Sequence, residues 1–222
     1  MRAPTPLAIY KKLRGHFGFL DWWPGDTPFE VFVGAILTQQ TTWRNVEKAI
    51  ANLKDANCLD IKSISGMRLE KLESLVRPSG YYRQKARRLR DICKRVVEEH
   101  ASIECLFRMD RDQLRKLLLS YNGIGEETAD SIVLYAAGMP EFVIDAYTKR
   151  AMSRINPAIS ENVGYDELKS YFENRLEREL ELYKDFHAQF VELGKNYCKK
   201  KMPLCQKCPV VGSCAFGKKA AK

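Results

Sequence analysis

Four cysteines near the C-terminus, Cys198, Cys205, Cys208 and Cys214, stand in a C-x6-C-x2-C-x5-C array. Four thiolates satisfy a thiophilic centre, so the array suits either a zinc ion or an iron–sulfur cluster. The other three cysteines, Cys58, Cys93 and Cys105, have no partners in sequence and read as buried or inert thiols. Further upstream, Asn122-Gly123-Ile124-Gly125-Glu126 separates two apolar helical stretches within residues 114 to 137. Glycines one residue apart reach backbone angles closed to other residues, which lets amides converge beside the N-terminus of the next helix and cradle a phosphate. The same Gly-x-Gly also serves as a plain helix-to-helix turn. Asp145 follows the apolar run Phe142-Val143-Ile144 and opens the helical stretch AYTKRAMSRI. It reads as a helix N-cap whose charge the helix dipole favours, with or without chemistry. All three tryptophans fall early: Trp22 and Trp23 directly before Pro24, and Trp43 directly after Gln39-Gln40-Thr41-Thr42. So concentrated, the indoles suit a stacking pocket, or else a turn that pins the N-terminal segment.

These residues must be positioned by helices. Phe29, Phe32, Val33, Ile36 and Leu37 recur at i, i+3, i+4, i+7 and i+8, and Leu168, Phe172, Leu176 and Leu180 repeat every four. No sustained strand alternation occurs. Thr27-Pro28-Phe29-Glu30 spells a helix start in which threonine caps, proline takes the first position and glutamate closes a capping box; Asp110 with Gln113 spells another. The expected class is all-α, with about ten helices and short loops. Lysine and arginine number 37 against 28 acidic residues, a formal charge of +9 that favours a polyanionic partner. The run Arg83, Lys85, Arg87, Arg88 and Arg90 is an ordinary solvated face unless some of it meets phosphates. No stretch reaches the roughly 18 apolar residues of a membrane span, and the N-terminus lacks a signal-peptide core. A cytoplasmic protein is expected, in which thiols stay reduced and clustered cysteines bind metal. His16, His100 and His187 are isolated and receive no chemistry.

The hairpin, followed by Met139-Pro140-Glu141-Phe142-Val143-Ile144-Asp145, resembles the helix-hairpin-helix, Gly/Pro-rich loop and aspartate of the endonuclease III superfamily of DNA glycosylases. Ile36-Leu37-Thr38-Gln39-Gln40-Thr41-Thr42 resembles the family segment that fills the hole left by an extruded nucleotide, and the cysteine array resembles the family's [4Fe-4S] loop. The resemblance implies two helical lobes holding DNA across a cleft. One is a helical barrel over residues 28–136 that includes the hairpin at 114–137; the other combines 1–27 with 137–197; the cluster loop spans 198–214. It also implies that Asp145 stabilises an oxocarbenium-like sugar, that Gln40 enters the duplex, and that Gly123, Ile124, Gly125, Glu126 and Thr128 meet the DNA backbone. Bifunctional relatives carry a Schiff-base lysine in the hairpin, where this chain has Glu127. A carboxylate cannot form that link, so a monofunctional enzyme is expected; Lys85 and Lys149 are other amines that could reach a sugar.

The WWP turn, the aromatic after the Gln-Gln-Thr-Thr segment, SGYYRQKARRL and Glu127 together resemble the 3-methyladenine DNA glycosylase III branch. A base alkylated on a ring nitrogen is cationic, a good leaving group and a cation–π partner for indoles. Trp22, Trp23, Pro24 and Trp43 are therefore the expected base pocket. The expected protein is a monomeric prokaryotic or archaeal nucleoid enzyme acting on double-stranded DNA that contains a damaged base. A thymine, uracil or oxidised-pyrimidine glycosylase, or a non-catalytic DNA-binding module, are the competing readings.

Overall fold

The computed structural model describes residues 3–22 and 25–220. Among them there are helices and no strands, so the class is all-α. In chain order the α-helices are α1 (Pro6–Phe17), α2 (Pro28–Leu37), α3 (Trp43–Asp55), α4 (Ile61–Gly66), α5 (Leu69–Val76), α6 (Tyr82–His100), α7 (Ile103–Leu106), α8 (Arg111–Ser120), α9 (Glu126–Ser131), α10 (Ala146–Ile155), α11 (Tyr165–Glu173), α12 (Leu180–Asn196) and α13 (Ala215–Ala220). A π-helical turn, Ile132–Ala136, continues α9. No described helix is long and apolar enough to cross a membrane.

The helix starts follow local chemistry. Thr27 Oγ1 accepts from Glu30 N at 3.1 Å with Pro28 at the first turn of α2. The expected capping box is shifted: Glu30 Oε2 accepts from Asp26 N at 3.2 Å and pairs with Lys54 at 2.9 Å. A cation one helix away draws the carboxylate off the threonine amide. Asp110 caps α8 through the amides of Asp112 and Gln113. The four-residue repeat that runs to Leu180 is interrupted, because α11 ends at Glu173, whose carboxylate accepts from Phe142 N at 3.0 Å. A tertiary bond there outweighs local periodicity.

The chain divides into two compact units, one formed by Met1–Trp22 with Pro140–Lys222 and the other by Trp23–Met139. The continuous unit wraps α3 to α9 around α2, whose residues from Phe29 to Leu37 are all buried. A helix apolar on every side is one that belongs at the centre of a core. The discontinuous unit centres on Phe142, Phe172, Phe186 and Phe190, with Phe142 stacked on Phe172 at 4.3 Å and Phe186 on Phe190 at 4.8 Å. Against this cluster α10 and α12 pack closely: a Cβ on Gly194 would fall 2.2 Å from a Tyr147 ring carbon.

Candidate active site

Asp145 is the N-cap of α10. Its Oδ1 accepts from Thr148 N at 2.6 Å, which satisfies one of the amides that a helix start leaves without a carbonyl. The residue is 8% exposed. Burial pushes its pKa upward, but the hydrogen bond and charge of His187 and the Thr148 amide outweigh this and leave the carboxyl below its ordinary range. Asp145 is thus a buried group held ionised at neutral pH, with His187 Nε2 at 3.6 Å from its second oxygen.

His187 lies on α12, itself buried, and its ring meets Trp22 edge-on at a centroid distance of 5.5 Å. The placement of Trp22 has a cause two residues away on either side. Asp185, fully buried on α12, accepts from Leu20 N at 2.9 Å, from the Tyr10 hydroxyl at 2.7 Å and from Gln189 at 3.1 Å. These bonds lay the segment after α1 along α12, so the indole reaches His187 and lies 5.8 Å beneath Lys195 Nζ. Trp22, His187 and Asp145 therefore form a contiguous series. Isolation in sequence hid His187, which is joined to Asp145 only by the packing of α12 on α10; no local signal marks it. Trp23 and Pro24 lie outside the described residues.

Trp43 begins α3 in the continuous unit and packs against that unit's core, its ring 3.3 Å from where a Cβ on Gly34 would sit. Its indole is half-buried, and a glycine in α2 makes room for it. Gln40, beside it in the Gln-Gln-Thr-Thr loop, is exposed and has a left-handed backbone (φ 54°). Such a conformation is unfavourable for a residue with a Cβ and persists where neighbours enforce it. The neighbour is Gln39, whose amide donates to Gly123 O at 2.9 Å and to Thr128 Oγ1 at 3.1 Å, and accepts from Arg88 at 3.3 Å. Gln39, next to Gln40 in the Gln-Gln-Thr-Thr segment, and Arg88, in the SGYYRQKARRL stretch, tie the loop to the hairpin. The C-terminal carbonyl of α2 is held by Lys85, whose Nζ donates to Leu37 O at 2.8 Å and Ser79 O at 2.6 Å. Burial lowers the Lys85 pKa to about 8, and the amine is locked in the protein interior rather than offered to a sugar. Lys149 donates to Val163 O at 3.0 Å.

In the hairpin, Gly123 has φ 87°, an angle that demands glycine, and a Cβ there would fall 2.3 Å from the Arg88 side chain, which would have to move aside. Ile124 buries its side chain in the core and donates its amide to Tyr121 O at 3.1 Å. Thr128 is engaged with Gln39, which leaves Gly125 and the first turn of α9 as the exposed edge of the motif. A Cβ on Gly125 would meet nothing within 4 Å, so an incoming phosphate has clear approach to the backbone. Glu126 and Glu127 are exposed in that first turn. Glu127 borders a pocket of about 290 Å³ with Thr38, Gln39, Gln40 and Ser131.

Cys198, Cys205, Cys208 and Cys214 line one apolar cavity together with Leu193 and Val210. Burial pushes the Cys208 thiol up to about 11, with the other three sulfurs adding to the shift. Two donors already face the sulfurs: Arg154 Nη1 lies 3.3 Å from Cys198 Sγ and Gly217 N lies 3.2 Å from Cys214 Sγ. Four mutually near thiols in an apolar shell with N–H donors fit a thiolate-ligated cluster, which draws its stability from such surroundings. Among the described residues no group of His, Cys, Asp or Glu side chains is disposed around a single ion. The loop hangs on α10, since Arg150 donates to Cys198 O at 2.8 Å and Arg154 to Lys199 O at 2.8 Å. One helix thus has Asp145 at its start and the cysteine loop at its end. Of the remaining thiols, Cys58 and Cys93 are buried and Cys105 is exposed.

Comparison with known proteins supplies the context for this geometry. The family model of the HhH-GPD superfamily of base excision DNA repair proteins matches residues 33–178. The chain belongs to that superfamily. It is a DNA repair glycosylase with the superfamily's fold. A Methanocaldococcus jannaschii protein named for DNA repair glycosylase activity is 48% identical over 93% of this chain and 94% of its own length. The crystal structure of H. pylori 3-methyladenine DNA glycosylase (MagIII), bound to 1,N6-ethenoadenine, superposes with a TM-score of 0.76. It is 31% identical and covers 86% of this chain and 98% of its own. An endonuclease III in a non-covalent DNA complex shares the fold at a TM-score of 0.82 and 24% identity, covering 98% of both chains.

Proposed function

We propose that this glycosylase is monofunctional and removes an alkylated base of the 3-methyladenine type from double-stranded DNA, leaving an abasic site. The observation that carries the reading is the series Trp22–His187–Asp145, a half-buried indole and a buried, ionised carboxylate joined through one imidazole. In the reaction the C1′–N bond breaks with its electron pair going to the departing base. A cationic alkylated base leaves as a neutral molecule and needs no proton. The positive charge passes to the sugar, where the fixed carboxylate of Asp145 stabilises it, and water adds to C1′ with loss of a proton. An environment that holds Asp145 charged before the reaction incurs no reorganisation cost during it.

The Trp22 face suits a cationic base by cation–π attraction, worth on the order of 2 kcal/mol when desolvated. The likeness to MagIII supports the same substrate class. At the hairpin, Glu127 stands where a Schiff-base amine would be required, and Lys85 is committed to two carbonyls. The cysteine loop would hold a [4Fe-4S] cluster on Cys198, Cys205, Cys208 and Cys214 that stiffens the segment beyond α12 and presents Lys199, Lys200, Lys201 and Lys207 to phosphates. The glycosylase works as a monomer in this reading. Gln40, pushed outward by its backbone, is the candidate to occupy the space of the extruded nucleotide.

Base release from methylated duplex, with the product identified by mass, tests the substrate. Free 3-methyladenine with intact, alkali-labile strands and no borohydride-trapped complex is expected. Release of thymine or uracil from mismatches, or of oxidised pyrimidines, in preference to alkylated purines would replace the substrate; efficient trapping would end the monofunctional reading. Purified protein should be brown, with roughly four irons per chain; a colourless protein carrying one zinc would remove the cluster.

A further inference from the structure

Beside the hairpin, α6 and the residues leading into Gly123 enclose a cavity of about 520 Å³. Four guanidinium groups border it, those of Arg83, Arg87, Arg88 and Arg95, against the carboxylate of Asp91. They share the cavity because positions four, seven and eight apart lie along one face of a helix. Two of the four are fixed in place. Arg88 lies in the space left by the missing side chain of Gly123 and donates to Gln39 at 3.3 Å. Arg95 stacks 4.6 Å over the Tyr121 ring and donates to Glu99 at 3.0 Å. Arg83 and Arg87 are exposed. Tyr121 and Asn122, the hairpin residues just before Gly123, close the other side. The Tyr121 hydroxyl, in a residue 2% exposed, has no hydrogen-bond partner among the described residues.

We propose that this cavity is a second phosphate site, which takes the DNA backbone next to the segment gripped by the hairpin glycines. Planar guanidinium groups bind phosphate oxygens in pairs, and here they are arranged in a concave wall rather than spread over a convex surface. Arg88 joins the two sites physically, since the glycine that shapes the hairpin turn is also the glycine that admits this arginine. A phosphate bound by α6 and one bound by the α9 start would then belong to the same strand and set its path across the continuous unit. The choice of DNA as the partner rests on the glycosylase reading; the anion-binding chemistry does not.

The test is the salt dependence of binding. Full-length protein is titrated with duplex DNA carrying a tetrahydrofuran abasic analogue between about 50 and 200 mM KCl, the range over which phosphate binding registers strongly. For every phosphate that the protein ceases to neutralise, the slope of log K against log salt flattens by about 0.9. The double variant Arg83→Gln with Arg87→Gln should flatten it by about 1 to 2 and weaken binding roughly tenfold, for every duplex sequence alike. Lys94→Gln removes a charge from α6 outside the cavity and should change the slope much less. The pair Arg83→Lys with Arg87→Lys keeps the charge and should restore most of the slope. Equal slopes for the glutamine double variant and Lys94→Gln would overturn the site. Tight binding of inorganic phosphate, abolished by the double variant while the DNA slope stays at wild type, would also overturn it in favour of a free-anion site. Base release from methylated duplex is measured in parallel: its absence would refute the glycosylase substrate, while the slope still reports on the cavity.

Discussion

Two acidic residues near helix starts stand in opposite surroundings. Asp145, at the start of α10, is buried, bonded to an amide and faced by an imidazole; Glu127, in the first turn of α9, is exposed beside an open pocket. Two tryptophans differ as well. Trp22 touches His187, which touches Asp145, whereas Trp43 rests on Gly34 and the core beneath it. The same residue types thus serve different ends. A desolvated carboxylate with fixed partners is a strong, directed charge, because little solvent screens it. An exposed one at a helix start is a weak charge that water largely neutralises.

Asp145→Asn should separate the regions most sharply. Removing the charge should lower single-turnover excision by at least about a hundredfold while affinity for abasic duplex changes only a few-fold. Near wild-type excision would take Asp145 out of the chemistry. The tryptophans give the next contrast. Trp22→Ala should reduce release of 3-methyladenine by roughly tenfold with little change in melting temperature, as loss of a stacking partner predicts. Trp43→Ala should instead lower stability by about 2–4 kcal/mol, in line with truncating a large packed side chain. If the two variants exchange these behaviours, the pocket has been assigned to the wrong indole.

His187→Gln probes how the Asp145 charge is maintained. Burial raises the carboxyl pKa and His187 lowers it, so removing the imidazole leaves burial less opposed and the pKa must rise. In the wild type, activity and the stability due to this ionised group are present above the unfolded pKa and lost as pH falls through the depressed folded value. The acid limb of the rate profile should therefore move to higher pH in the variant, with a smaller loss at pH 8 than at pH 5. An unshifted limb would show that the imidazole does not hold the charge. Smallest of all is Glu127→Gln, which should leave excision within about twofold and still give no borohydride trapping, since surface changes away from the chemistry move little. A large loss would make the hairpin carboxylate a participant and erase the contrast with Asp145.

Much of this was legible in the chain itself. Helical periodicity gave the all-α class, and the caps at Thr27, Asp110 and Asp145 are written in single residues, because an amide three positions on is always within reach of a short polar side chain. The left-handed turn at Gly123 and the cysteine spacing are equally local, whereas Gly125, expected to need the same freedom, has an extended backbone (φ −94°) that any residue adopts. Other features had no local signature. Thr128 is buried with its hydroxyl on Gln39, far upstream in the chain. Lys85, in a basic run that looks like a solvated face, is buried between two carbonyls. A charge pattern records which residues are cationic, while the helix face that each occupies and what that face meets are settled by packing. His187 is the clearest instance. Its meeting with Asp145 depends on α12 lying against α10 closely enough that Gly194 has no room for a side chain, and on Asp185 drawing the N-terminal segment to the same place. Short-range hydrogen bonding let the sequence determine where the helices begin and which turns need glycine. Only the tertiary structure could decide which carboxylate is buried and what faces it, because desolvation and long-range pairing arise from segments far apart in the chain.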